Sequence, residues 1–122
     1  MFFVIILYMK RFGTQYGGFY YPKNLDNLNK DSIIYCVGAG EDISHDIELA
    51  HQLNSNVYIF DPTPRAVEHV KYIKSLMDNE AKLINSKRYG GGDPNYLIKI
   101  MDNKIDSNKI HFYDYGLYTE NT

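Results

Sequence analysis

Several residue types are scarce or missing in this chain of 122 residues, and each absence excludes a class of protein. The sequence has no tryptophan and one cysteine, Cys36. A single cysteine closes no internal disulfide, so nothing here indicates a disulfide-stapled secreted domain. The formal net charge is only −2 and basic residues form no cluster, so the chain has no strong electrostatic attraction to nucleic acid. We expect a cytoplasmic protein without a nucleic-acid partner.

Long apolar runs are also missing. The longest stretch, residues 1–9, is far shorter than the roughly 20 residues that a membrane-spanning helix needs. No basic residue precedes it and no small-residue cleavage site follows it, as they would in a signal peptide. We expect no clear membrane segment, and interpret residues 1–9 as a buried strand or helix start. The alternative is the end of a longer membrane anchor.

The sequence shows no metal-binding constellation and no catalytic motif. His45 and His51 lie on different faces of a helix, and His69 and His111 are isolated. Cys36 lies within an apolar run, so we expect a small core residue rather than a reactive thiol. Neither a nucleophile elbow nor a phosphate-binding loop is present. We therefore expect no metal site, and the catalytic residues stay unknown.

What the sequence does contain is a β-α-β pattern. An apolar run, residues 33–37, enters the turn Gly38-Ala39-Gly40, and apolar residues then recur at intervals of three and four up to Leu53. This spacing predicts an amphipathic helix. A second apolar run, residues 57–60, stops at Asp61, about 20 residues after the turn. Continuous apolar runs are typical of strands that are buried on both faces of a parallel sheet.

The flanking segments extend this pattern. Asp42 or Ser44 is expected to cap the first helix. Thr63, followed by Pro64 at the first helical position, is expected to cap a second helix that ends near residue 78. The two strands should be parallel neighbours joined by a right-handed crossover.

We interpret the whole chain, residues 1–122, as a single α/β domain with a parallel sheet in a three-layer αβα arrangement. An N-terminal segment, 1–32, precedes the β-α-β-α unit at 33–77. A third strand, 110–118, follows a segment at 78–109 that resembles an insertion.

The turn and the acid together predict a nucleotide-type ligand. In open α/β sheets, ligands bind in the crevice at the carboxyl ends of the strands, where Asp61 would accept hydrogen bonds from ribose hydroxyls. A dinucleotide prefers a third glycine, but Ile43 occupies that position, and the Glu41-Asp42 pair would repel a pyrophosphate. S-adenosylmethionine carries a sulfonium and an ammonium instead. The pattern favours that methyl donor over an NAD-type cofactor without excluding the latter.

These residues also carry a family resemblance. The segment Tyr35-Cys36-Val37-Gly38-Ala39-Gly40-Glu41-Asp42-Ile43-Ser44, with Phe60-Asp61-Pro62-Thr63-Pro64-Arg65, resembles the FkbM-type branch of class I S-adenosylmethionine-dependent methyltransferases. Residues 16–19 and 112–117 are also similar to that group. The resemblance covers about residues 13–76 and 110–118.

The resemblance implies a Rossmann-like fold and a set of donor-binding residues. Gly38 and Gly40 would pass under the methionine part of the donor, and Asp61 would hold its ribose. The further implied contacts are Ala39, Glu41, Asp42 and Pro62. The chain departs from the family at Cys36, where an acid is usual, and at His45, where an aromatic is usual. It also stops after the third strand, so we expect the first half of a methyltransferase domain.

The function implied by the resemblance is methyl transfer to an oxygen of a small molecule or glycan. A vestigial donor-binding module without catalysis and an NAD-binding oxidoreductase fragment stay open as alternatives. Because free strand edges and apolar faces promote association, we also expect self-association or a partner chain that completes the sheet. The oligomeric state and the methyl acceptor are not readable from the sequence.

Overall fold

A computed structural model of the chain describes residues 9–14, 16–22, 28–84 and 87–116. Two sequence-based expectations lie partly outside these residues. They concern the apolar run at 1–9 and residues 117–118 of the third predicted strand.

The described part contains five strands, three α-helices and two 3-10 helices. The strands are β1 (Met9–Phe12), β2 (Phe19–Pro22), β3 (Ile34–Val37), β4 (Val57–Phe60) and β5 (Ile110–Tyr113). The α-helices are α1 (Ser44–Leu53), α2 (Pro64–Met77) and α3 (Tyr96–Asp102). The 3-10 helices are Tyr89–Gly92 and Ser107–Lys109. None of the helices in this part of the chain is long and apolar enough to cross a membrane.

Strands β3, β4 and β5 form a parallel sheet in that order. At one level of the register Cys36 pairs with Ile59, and Ile59 pairs in turn with Phe112. Each connection between neighbouring strands contains at least one helix, as a parallel sheet requires. The predicted α/β class and the parallel pairing of the first two strands are confirmed.

Strands β1 and β2 form a separate antiparallel hairpin. The backbone N–H of Gly13 donates to the Glu48 carboxylate at 2.7 Å, and that of Thr14 donates to the Ser44 hydroxyl at 2.8 Å. The hairpin is therefore held against α1 through polar contacts.

The core lies between one face of the sheet and the helices. Ile59 and Ile110 point to the same face, because residues on a strand alternate between faces, and both are 0% exposed. Every α-helix of the described part contributes to this core: Ile47 and Ala50 from α1, Val70 and Ile73 from α2, and Tyr96 and Ile100 from α3. The described helices therefore cover a single face of the sheet.

The other face of the sheet is open in the described part, which corrects the prediction of a strand buried on both faces. Tyr35 and Val37 of β3 are 64% and 65% exposed. The sequence pattern was misleading because β3 has apolar residues on both of its faces, whereas the helices of the described residues cover only one of them.

The helix starts differ in detail from the expectation. The N-cap position of α1 is occupied by Ile43 and not by Asp42 or Ser44, and no side chain caps it. Asp42 lies one residue earlier, and its Oδ1 accepts hydrogen bonds from the Ser44 N–H at 2.9 Å and the Ser44 hydroxyl at 2.6 Å. Thr63 occupies the N-cap position of α2, with Pro64 next to it, but its side chain makes no cap hydrogen bond. The prediction of a Thr63 side-chain cap is wrong because that hydroxyl donates to Asp61 instead.

Candidate functional site

The turn after β3 depends on glycine for its backbone conformation. Gly38 and Gly40 have φ angles of +92° and +52°, in the region that residues with a Cβ rarely adopt. A Cβ built on either residue would meet no other atom within 4 Å. The glycines are therefore required by the bend itself, and the space beside the turn is open.

Asp61 lies at the carboxyl end of β4 and contacts this turn directly. Its backbone N–H donates to the Tyr113 carbonyl at 3.1 Å, which extends the sheet by one step. Its Oδ2 accepts hydrogen bonds from the N–H groups of Ala39 at 2.8 Å and Gly40 at 3.0 Å. The turn and the acid thus lie together at the same edge of the sheet.

The second oxygen of Asp61 binds the start of α2. Oδ1 accepts from the Thr63 N–H at 2.9 Å and from the Thr63 hydroxyl at 2.7 Å. Each carboxylate oxygen offers about two acceptor positions, so these four bonds occupy the group. Asp61 therefore links the turn to α2, a structural role that the sequence pattern did not indicate.

These contacts hold the Asp61 carboxylate in its charged form. Burial raises its pKa, but hydrogen bonds from Gly40, Thr63 and Ala39 together outweigh burial and lower the pKa to about 2. The Asp61 carboxylate is therefore ionised at physiological pH.

Glu41 is paired with two guanidinium groups. Its carboxylate lies 3.2 Å from Arg88 Nη2 and 3.8 Å from Arg65 Nη1, and its side chain is 11% exposed. Its backbone carbonyl also accepts from the Gly90 N–H at 2.8 Å. The charge of Glu41 is therefore offset locally.

Asp42 connects the hairpin to α1. Besides Ser44, its carboxylate accepts a hydrogen bond from the Thr14 hydroxyl at 2.5 Å, and the same hydroxyl accepts from the Gly17 N–H. Because Glu41 and Asp42 both have partners, repulsion of a pyrophosphate by this pair is weaker than the sequence suggested. Pro62, the remaining predicted contact, is exposed.

A buried polar chain joins α3 to the helices next to the turn. The Tyr96 hydroxyl accepts from the Ile43 N–H at 2.8 Å and lies 2.7 Å from His69 Nε2. Burial lowers the pKa of His69 to about 4, so the imidazole is neutral at physiological pH. Local sequence patterns do not indicate this contact, because Tyr96 belongs to the segment that resembles an insertion.

A second polar cluster lies beside β3 and was also missed from the sequence. Cys36, His45 and Asp46 each offer a metal-ligand atom, and these atoms all lie within 4.8 Å of one another. His45 Nδ1 lies 2.8 Å from Asp46 Oδ1. Burial, and then the charge of Asp46 and its hydrogen bond to the thiol, raise the pKa of Cys36. The spacing of the histidines along the sequence does not indicate this cluster, because the neighbours of His45 are a cysteine on β3 and an aspartate.

The described residues thus form an α/β fold with a parallel sheet. A glycine turn and the ionised Asp61 lie together at the carboxyl ends of two adjacent strands of that sheet. Comparison with family models, with curated proteins and with solved structures finds no match to this chain.

Proposed function

We propose that this chain binds S-adenosylmethionine at the edge formed by the Gly38-Ala39-Gly40 turn and Asp61. In this proposal it is the donor-binding part of a Rossmann-like methyltransferase domain of the FkbM type. The observation that carries the proposal is the pair of hydrogen bonds from Ala39 and Gly40 to Asp61. These bonds connect the glycine turn, which is expected to lie under the methionine part of the ligand, with Asp61, which is expected to hold its ribose.

Three properties of the edge support an adenosyl ligand. It lies at the carboxyl ends of parallel strands, where open α/β sheets bind ligands. Apart from the adjacent residues of the turn, no protein atom lies within 4 Å of the position that a Cβ on Gly38 or Gly40 would occupy. The Asp61 carboxylate is charged, so it favours ribose hydroxyls and disfavours phosphate groups.

The contacts of Asp61 suggest how the ribose is held. Thr63 is exposed, so its hydroxyl can turn to solvent and release Oδ1. A ribose hydroxyl then donates to Oδ1, while Oδ2 keeps its bonds to the turn. In this arrangement Oδ1 of Asp61 binds the donor, while Oδ2 still holds the backbone of Gly40 in its conformation.

The proposed activity is methyl transfer to an oxygen atom of a small molecule or glycan. Such transfer depends mainly on alignment of the attacking oxygen with the methyl group, with or without a general base. We assign no catalytic base. A cytoplasmic location belongs to the same proposal, because Cys36 is a free thiol.

Isothermal titration calorimetry with three ligands tests this function. We expect the chain to bind S-adenosylmethionine and its demethylated product, S-adenosylhomocysteine, but not NAD. Asp61→Asn should weaken binding of both by about 1.5–3 kcal/mol, the usual range for a hydrogen bond to a charged group. Thr63→Val is the matched control, because it frees Oδ1 and should preserve affinity.

The alternatives give different results. Binding without methyl transfer to any hydroxyl acceptor would indicate a donor-binding module, and binding of NAD alone would indicate an oxidoreductase fragment. Folded wild-type protein that binds none of the three ligands would contradict the proposal. Thermal melts of each variant separate loss of binding from loss of folding.

A further inference from the structure

The cluster of Cys36, His45 and Asp46 lies where β3 meets the start of α1, and Gly38 of the glycine turn also lines the cavity beside it. Cys36 is on β3, and His45 and Asp46 are consecutive residues in the first turn of α1. Their side chains are largely buried, with exposures of 11% for His45 and 8% for Asp46. Three different metal-ligating groups therefore converge from two elements of the fold.

The donor atoms match the preferences of zinc. Thiolate, imidazole and carboxylate are its usual protein ligands, at about 2.0–2.3 Å from the ion. In a tetrahedron these bond lengths put the ligand atoms roughly 3.3–3.8 Å apart. The three ligand atoms lie within 4.8 Å of one another, a limit about 1 Å wider than this separation, so the side chains must move together slightly to share one ion. One thiolate and one carboxylate also offset the charge of a divalent ion, as a buried site requires.

A cavity adjoins the cluster. It has a volume of about 260 Å³, and its lining includes all three residues together with Phe19 and Leu49. The Phe19 ring packs edge-on against the His45 imidazole, with 5.1 Å between the ring centroids. The hairpin therefore helps to orient the imidazole, and the cavity provides room for a non-protein ligand.

We propose that Cys36, His45 and Asp46 bind a Zn²⁺ ion through three side chains and leave its fourth position open to the cavity. Three protein ligands with one open position are the arrangement found in catalytic rather than structural zinc sites. Water or a small anionic or thiol ligand occupies the fourth position. The ion also joins β3 to α1. This site does not depend on the binding of S-adenosylmethionine.

Titration of chelator-treated wild-type chain with ZnCl₂ and CoCl₂ tests the site. We expect one equivalent of either ion to bind. Bound cobalt should give the near-ultraviolet charge-transfer band of a thiolate ligand and the intense visible bands of a tetrahedral centre. Cys36→Ser should remove the charge-transfer band and weaken zinc binding at least tenfold, and Asp46→Asn should weaken zinc binding to a similar degree.

His51→Gln is the matched control, because His51 is an exposed histidine on the same helix. It should leave both the cobalt spectrum and the zinc affinity unchanged. A wild-type cobalt spectrum without a thiolate band would overturn the proposal even if Cys36→Ser fails to fold. Equal zinc affinities of folded wild type, Cys36→Ser and Asp46→Asn would overturn it as well.

Discussion

The two faces of the parallel sheet use the same strands in different ways. Val57 and Ile59 point toward the helices and are 0% exposed, whereas Val37, on the opposite face of the neighbouring strand, is 65% exposed. The covered face gains its stability from close apolar packing against α1, α2 and α3. The open face has no such cover in the described part of the chain.

On the open face, aromatic side chains of the three strands pack against one another. Tyr58 stacks on His111 with 4.7 Å between centroids, and Phe60 stacks on Tyr113 at 5.0 Å. Tyr35 packs edge-on against both Tyr58 and Phe60. Tyrosine suits this position because its ring packs while its hydroxyl reaches water. Within the described residues, the apolar side chains on this face of the sheet thus pack against one another and not against a helix.

The largest predicted effect lies on the covered face. Ile59→Ala should lower the free energy of unfolding by about 2–5 kcal/mol, because it leaves a cavity in a packed core. Val37→Ala, on the open face, should change it by no more than about 0.5 kcal/mol. Urea denaturation of both variants measures the difference. Similar losses in the two variants would contradict the distinction between the faces.

A smaller effect on stability is predicted for Asp61, which lies at the carboxyl ends of the strands between the two faces of the sheet. The pKa of Asp61 is lowered from 3.8 to about 2, so its charged form stabilises the fold by about 2 kcal/mol. This contribution is fully present above about pH 4, the unfolded value, and is lost as the pH falls through about 2.

Asp61→Asn isolates this contribution. The difference in unfolding free energy between wild type and variant should be about 2 kcal/mol at pH 6 and should shrink steadily below pH 4. Denaturation at several pH values measures this difference. The other carboxylates are present in both proteins, so their contributions cancel. A constant difference from pH 6 to pH 2 would show that the charge of Asp61 is not what holds the turn.

The smallest effect on stability is predicted for the open face. Strands β3 and β5 form the edges of the sheet within the described residues, and Tyr35 and Val37 expose apolar surface beside one edge. We expect the isolated chain to self-associate through this face. Val37→Lys should reduce association in analytical ultracentrifugation with little change in unfolding free energy. A wild-type chain that stays monomeric at high concentration would contradict this expectation.

Local patterns in the sequence predicted much of the fold. The apolar runs and the spacing of apolar residues located β3, α1, β4 and α2 to within one or two residues, because these elements follow from periodicity and turn chemistry. The position of Asp61 beside the turn followed from the geometry of neighbouring parallel strands.

Contacts between distant segments were not predictable in the same way. The Ile43 N–H donates a hydrogen bond to the hydroxyl of Tyr96, 53 positions away, and the Thr14 N–H donates one from the hairpin to Ser44 of α1. The local pattern also does not predict that Cys36 lies close to His45 and Asp46, because their proximity depends on how β3 packs against α1. Exposure of the second sheet face likewise depends on which helices are present, not on the strand itself.

Amide correlation spectra recorded during a titration with S-adenosylhomocysteine test the claim that the glycine turn and Asp61 bind an adenosyl ligand. We predict saturable shifts centred on the amides of Gly38, Ala39, Gly40 and Asp61, and their loss in folded Asp61→Asn. Spectra of folded wild-type protein in which these amides stay unmoved at saturating ligand would contradict the claim.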